Sequence, residues 1–216
     1  MNSKFFTNRD SNTLENRLKD ILSLHRGIST LEFLIGYFRI SGFSKISSLL
    51  GNISSARILV GINIDALTLE AKERGRKLNL LDFEKMSKKF VDEQLESLND
   101  EPYAKEVDES VEFFARMLTE KRIEIRISPD KNIHSKIYIL REDEITRHDG
   151  TIEQRGSVIT GSSNLTATGL SKNFEFNVEL RDSDDIAFAL QEFNELWTQA
   201  IEIKEEVAHR PGQLEN

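Results

Sequence analysis

At 216 residues, with 38% apolar and 31% charged side chains, the chain can bury one sizeable core, which sets aside disordered and fibrous classes. With no cysteine there is no disulfide framework and no thiolate metal site, in keeping with a reducing compartment. A net charge of −8 argues against tight, indiscriminate gripping of nucleic acid by this chain alone, because counterion release needs basic surface; a local basic cleft or a partner that supplies the grip remains compatible with it.

The opening MNSKFFTNRDSN lacks the apolar core of a signal peptide and no run approaches a membrane span, so a cytoplasmic protein with no membrane partner is expected. Asn12-Thr13 then caps a predicted helix, LENRLKDILSLHRG, with Leu14, Leu18, Ile21 and Leu22 as its apolar stripe and Gly27 past its end. His25, near that end, suits the helix dipole. Thr30 to Ile40 is almost continuously apolar, as in a strand buried on both faces. Ser41-Gly42 reads as a turn, Phe43 to Leu50 as one or two helical turns ended by Gly51-Asn52, and Arg57 to Ile62 as a second buried strand. A strand–helix–strand unit of this length implies a right-handed crossover and a parallel pair.

From 65 to 120 charges are dense and apolar residues recur at helical spacing, giving a helical insertion. Its clearest helix carries Val107, Val111, Phe114 and Leu118 on one face, and Leu80 to Leu98 reads as another. Lys85, Lys88 and Lys89 read as a solvated face, with a nucleic-acid surface or a subunit contact as the other readings. Arg122 to Ile127 alternates like a strand nearer the sheet edge, and Ser128-Pro129-Asp130 turns it into the next apolar run. REDEITRHDGTIEQRG, with Asp149-Gly150 at its turn, reads as an exposed long hairpin connection. Phe176 to Leu180 is the last predicted strand. Asp182 to Asp185 caps a final helix with the stripe Ile186, Leu190, Phe193, Trp197 and Ile201, and 207–216 is expected to form a flexible tail. The whole, 1–206, is expected to be one α/β domain: a mixed, largely parallel sheet flanked by helices.

Within this frame a polar cluster interrupts apolar, β-rich runs. In NIHSKIYIL, His134 and Lys136 stand two residues apart, the spacing that puts side chains on one face of a strand. SVITGSSNL ends in Gly161, Ser162, Ser163 and Asn164, and NFEFNVEL carries Glu175 eleven residues after Asn164. A sheet core excludes such groups unless they are paired or used, and phosphate is the ligand their chemistry fits. Taken singly each has a structural reading: a strand-end histidine, a snorkelling lysine, a turn-forming asparagine, a glycine turn. Glu179, four residues on in the same alternation register, competes with Glu175.

In this order the parts resemble the HxK…GSxN…E signature of the phospholipase D superfamily. More narrowly, they are similar to the phospholipase-D-like nuclease domains attached to bacterial helicases and found in some restriction systems. The opening phrase LEFLIGYFRISGF…ARILVGIN is similar to the same module, so the resemblance runs from about Thr30 to Trp197. It implies that His134 is a nucleophile forming a phosphohistidine, that Lys136, Ser162 and Asn164 hold phosphate oxygens, and that Glu175 orients the imidazole. The offset of Glu175 from Asn164 matches the family better than that of Glu179. Fuller versions of the motif carry Asp five residues after the lysine, where this chain has Arg141; Asp143 is nearby but out of register. Nuclease-like members tolerate that loss more readily than lipases.

The family mechanism needs two histidines, and this chain is a single half-module: His25, His148 and His209 lack the HxK context. A homodimer with the active site across its two-fold axis is therefore expected. The reaction would need no cofactor or metal, and the sequence offers no convincing metal cluster. Nucleic acid, DNA rather than RNA, is the expected substrate. No Walker-type loop occurs, so a helicase motor would lie on a missing C-terminal region or on a partner. The other reading is a catalytically weak DNA-binding or dimerisation module; phospholipid hydrolysis comes last, since no basic amphipathic helix suggests membrane docking.

Overall fold

The computed structural model describes residues 3–25, 27–61, 105–128 and 133–202. Among these residues, ten strands and five helices follow one another as β1 (Phe5–Thr7), α1 (Leu14–Leu24), β2 (Ile28–Ile35), α2 (Ile40–Ser47), a 3-10 turn (Leu50–Asn52), β3 (Ser55–Gly61), α3 (Lys105–Thr119) and β4 (Ile123–Ser128). Then come β5 (Lys136–Glu142), β6 (Ile145–Thr146), β7 (Ile152–Glu153), β8 (Gly156–Gly161), α4 (Ala167–Ser171), β9 (Phe176–Leu180), α5 (Ser183–Gln199) and β10 (Ile201–Glu202). Eight strands form one mixed sheet in the order β1-β9-β8-β5-β2-β3-β4-β10, while β6 and β7 pair as a separate hairpin.

The β2–β3 pair is parallel, as the strand–helix–strand pattern predicts, and β3–β4 continues it. The sheet as a whole is not largely parallel: β5 is antiparallel to β2, β8 to β5, β9 to β8, β1 to β9 and β10 to β4. The reason is local. The β5–β8 and β8–β9 connections return along the neighbouring strand, and only the helical crossovers after β2 and β3 keep direction.

Strand β2 is central, and alternation divides its side chains between two cores. Leu31, Phe33 and Ile35 join Ala56, Ile58, Val60, Tyr138 and Leu140 under α1, α2 and α3. Leu34 joins Leu59, Ile139 and Val158 under Ile186, Ala189, Phe193 and Trp197 of α5. Glu32 is fully buried on the α5 side. Its carboxylate accepts from Arg57 Nη2 at 3.1 Å and from Arg141 at 2.8 Å (Nη2) and 3.2 Å (Nε). Burial works against the charge on Arg141, but the hydrogen bonds and charge of Glu32 more than offset it, so its guanidinium pKa lies above the ordinary value. Arg141, at the position where fuller motifs carry Asp, is thus half of a buried ion pair.

Several boundaries differ from expectation. β2 ends at Ile35, not Ile40, and Ser41-Gly42 lie inside α2. Glycine is required there because a Cβ on Gly42 would stand 2.5 Å from the backbone of Leu165. Ile201 leaves the final helix to pair with β4, and β1, unforeseen in the sequence, pairs with β9. Thr13 caps α1 by accepting from the Asn16 N–H at 3.1 Å. On α3, Phe114 is buried and Val111 and Leu118 pack against the core. The Asp149-Gly150 hairpin forms as expected, with Gly150 at φ +84°. The predicted helix Leu80 to Leu98, the lysines at 85, 88 and 89, the 129–130 turn and the 207–216 tail lie outside the described residues.

Candidate active site

The topology gathers the polar cluster at one sheet edge. β5 and β8 are antiparallel, as are β8 and β9, so the start of β5, the end of β8 and the start of β9 share that edge. Ile35, the last residue of β2, pairs with Lys136 there. Gly36, next in the chain, forms the floor: a Cβ built on it would lie 3.2 Å from the Ile133 carbonyl, 3.4 Å from Asn164 Oδ1 and 3.5 Å from Lys136 Nζ. Lysine and asparagine, 28 positions apart in the chain, therefore converge on one point.

Each group has a defined state. Asn164 Oδ1 accepts from the Tyr37 N–H at 3.0 Å. A backbone N–H can only donate, so the amide oxygen faces Tyr37 and Nδ2 keeps both protons for another acceptor. Lys136 Nζ donates to the His134 carbonyl at 2.5 Å, tethering the ammonium to the residue before the strand and leaving further protons. β5 begins at Lys136, so His134 lies in the exposed lead-in to the strand and not on it. Ser162 donates its hydroxyl proton to Glu175 Oε2 through a very short hydrogen bond and accepts from the Phe176 N–H at 3.1 Å. Among the described residues no hydrogen bond joins Glu175 to the His134 imidazole.

Glu179 is removed from contention. It is buried, accepts from Ser157 at 3.0 Å and Arg181 at 2.6 Å, and pairs with Arg17 at 3.4 Å. It lies opposite Ile159 of β8, on the face that carries α1, and is spent on structure.

Two residues not singled out in the sequence hold the Ser162–Asn164 loop. The buried Tyr138 hydroxyl donates to the Ser163 carbonyl at 2.9 Å, and Asn177 Nδ2 donates to Ser163 Oγ at 3.0 Å. Burial raises the Tyr138 pKa, and the nearby charge of Glu175 raises it further, so the phenol stays protonated and remains a donor. Only their polar tips, Tyr138 two residues beyond Lys136 and Asn177 two beyond Glu175, could have marked them. Tyr138→Phe is expected to cost about 1–3 kcal/mol in urea unfolding, because the Ser163 carbonyl is left buried and unpaired. Gly161 completes the loop's base: a Cβ would meet the Phe176 carbonyl at 2.3 Å, so only glycine lets β8 and β9 approach at this end.

Residues 52–197 match the family described as cardiolipin synthase, PLD-like domain. The chain belongs to the phospholipase D superfamily. With that membership comes the phosphodiesterase class of chemistry, and the matched range contains His134, Lys136, Ser162, Asn164 and Glu175. Phospholipase D-like solved structures include Nuc, a phospholipase D family member from Salmonella typhimurium, at 12% identity and a TM-score of 0.49 over 92% of this chain and 95% of that one. NucT from Helicobacter pylori aligns at 10% identity and a TM-score of 0.48, over 92% and 96%. A polyphosphate kinase from Porphyromonas gingivalis shares the fold at 12% identity and a TM-score of 0.52, covering 90% of this chain but 26% of the kinase. No curated protein matches the chain in sequence. No described helix of this phospholipase D-like chain is long and apolar enough to cross a membrane.

Proposed function

We propose that the chain is a metal-independent phosphodiesterase that cuts DNA through a phosphohistidine on His134. It would act as a homodimer with the active site across the two-fold axis, in a helicase-associated, restriction or defence setting. The observation that carries this reading is the convergence of Lys136 Nζ and the Asn164 amide over Gly36, beside His134. A phosphodiester seated there would have two non-bridging oxygens held by an ammonium and by Nδ2, where charge accumulates during transfer.

An imidazole nitrogen of His134 attacks phosphorus, and the P–O bond to the leaving group breaks. The departing oxygen takes a proton from His134 of the partner subunit. Water then attacks the phosphohistidine, the partner's His134 accepts its proton, and the P–N bond breaks to regenerate the imidazole. Glu175, its Oε2 fixed by Ser162, would orient the nucleophile through Oε1 once the imidazole turns toward it, since no hydrogen bond joins the two side chains here. In this arrangement the Ser162 proton belongs to Glu175, so serine supports the carboxylate first and the phosphate second.

The other reading is a catalytically weak DNA-binding or dimerisation module. It is favoured by Arg141, which occupies the Asp position of fuller motifs and is committed to Glu32. A substrate panel in EDTA separates the readings: labelled single- and double-stranded oligonucleotides, a base-free phosphodiester and phospholipid vesicles. Cleavage of the oligonucleotides but not the lipid is expected; a folded dimer that cuts nothing would establish the module instead.

A further inference from the structure

The rim beside Glu175 carries three exposed aromatic rings that no core explains. Phe5, Phe174 and Phe176 are 57%, 64% and 54% exposed, although Phe6, the neighbour of Phe5, is buried at 2%. Phe5 lies opposite Val178 and Thr7 opposite Phe176 in the β1–β9 ladder, so Phe5 and Phe176 share one face as diagonal neighbours, with ring centroids 5.6 Å apart. Phe174 and Phe176 flank Glu175 in sequence, and the Phe176 backbone N–H donates to Ser162 Oγ, which ties this end of β9 to the Ser162 loop. The Arg9 guanidinium lies over the Phe174 ring at 4.9 Å.

Among the described residues neither Arg9 nor Lys172 has a carboxylate partner, whereas nearby Lys4 is paired with Asp182 at 3.3 Å. A ring under the unpaired Arg9 guanidinium, in the segment whose backbone is tied to Ser162, matches the chemistry of an unstacked nucleobase on its charged backbone: stacking for the base, cation for the phosphate. A second copy of this chain fits less well. A two-fold contact through this patch would bring Arg9 and Lys172 toward their own copies.

We propose that Phe174 and Phe176, backed by Phe5 and Arg9, form a base-stacking platform that makes single-stranded nucleic acid the substrate class of this site. In a duplex the bases are stacked on one another and cannot reach the rings; in a single strand the nucleotide next to the phosphate can turn onto them. The inference rests on the phosphodiesterase reading for its place in catalysis, but the platform itself is tested by binding.

The test uses fluorescence anisotropy in EDTA with the full chain carrying His134→Ala, so that no strand is consumed. The ligands are a short single-stranded oligonucleotide, an abasic strand of equal length and a duplex. The base-containing strand is expected to bind about tenfold tighter than the abasic one. Adding Phe174→Ala should erase that difference while leaving abasic binding unchanged. The Phe174 ring is solvent-exposed, so its removal leaves the core intact, and size-exclusion chromatography on the same samples checks the fold. Equal binding of the two strands, no binding of either, unaltered preference in Phe174→Ala, or conversion of dimer to monomer by that substitution would each overturn the proposal. Cleavage of the base-free phosphodiester by the wild-type chain reports separately on the phosphodiesterase reading.

Discussion

Arg141→Asp, which restores the residue of the fuller motif, is expected to destabilise the protein by about 3–5 kcal/mol. The usual intuition is that returning to a family pattern helps, and the geometry says the opposite. Glu32 is fully buried, and Arg141 supplies two of the three hydrogen bonds it accepts from guanidinium groups. An Asp there removes those donors and sets a second carboxylate beside the first. Arg57 alone would remain as partner, itself held on the α5 side by the rings of Phe193 at 5.0 Å and Trp197 at 5.5 Å. Urea unfolding of Arg141→Asp, Glu32→Gln and the double variant makes the check. The double variant should be more stable than Arg141→Asp, since it removes the repulsion. A silent Arg141→Asp, within about 0.5 kcal/mol of wild type, would show that the pair does not balance the buried charge.

The second large effect concerns His134. Its replacement by alanine should lower kcat by at least about 10⁴-fold with the fold intact, because the side chain is exposed and the covalent path disappears. The shared-site proposal adds a sharper expectation. If one active site draws a nucleophile from one subunit and an acid from the other, a mixed dimer retains one histidine and loses the second role. After subunits of wild type and His134→Ala are mixed and re-equilibrated, activity should follow the square of the wild-type fraction. A linear dependence would mean that each subunit works alone.

How much of this was legible beforehand depends on how local the signal is. The parallel β2–β3 unit and the Asp149-Gly150 hairpin follow from periodicity and turn chemistry, and the structure has them; the α5 stripe holds at Ile186, Phe193 and Trp197, while Ala189 is buried in place of Leu190 and Ile201 leaves the helix. β1 and β10 span three and two residues and exist only through their ladders with β9 and β4, so no local pattern announces them. Gly42 resembled a turn because its cause is the Leu165 backbone more than a hundred residues away. Glu32 is invisible for a similar reason: one carboxylate in an apolar run, with partners 25 and 109 residues distant.

The site divides in the same way. Motif spacing brought Lys136 and Asn164 forward, and their meeting at Gly36 is a fact of the fold. Period-two alternation does not place His134, because β5 starts at Lys136 and the histidine is set by the lead-in, through its carbonyl's bond to the lysine. Tyr138 and Asn177 were hidden among strand residues whose role seemed to be packing.

The most direct test of the account is to trap the phosphohistidine. Wild-type protein would be mixed with an end-labelled oligonucleotide in EDTA, quenched in alkali, which preserves a phosphoramidate, and mapped by peptide mass spectrometry. Label is expected on the peptide containing His134, absent from His134→Ala and lost on mild acid treatment. Cleavage without any labelled histidine, or with label on another residue, would contradict it.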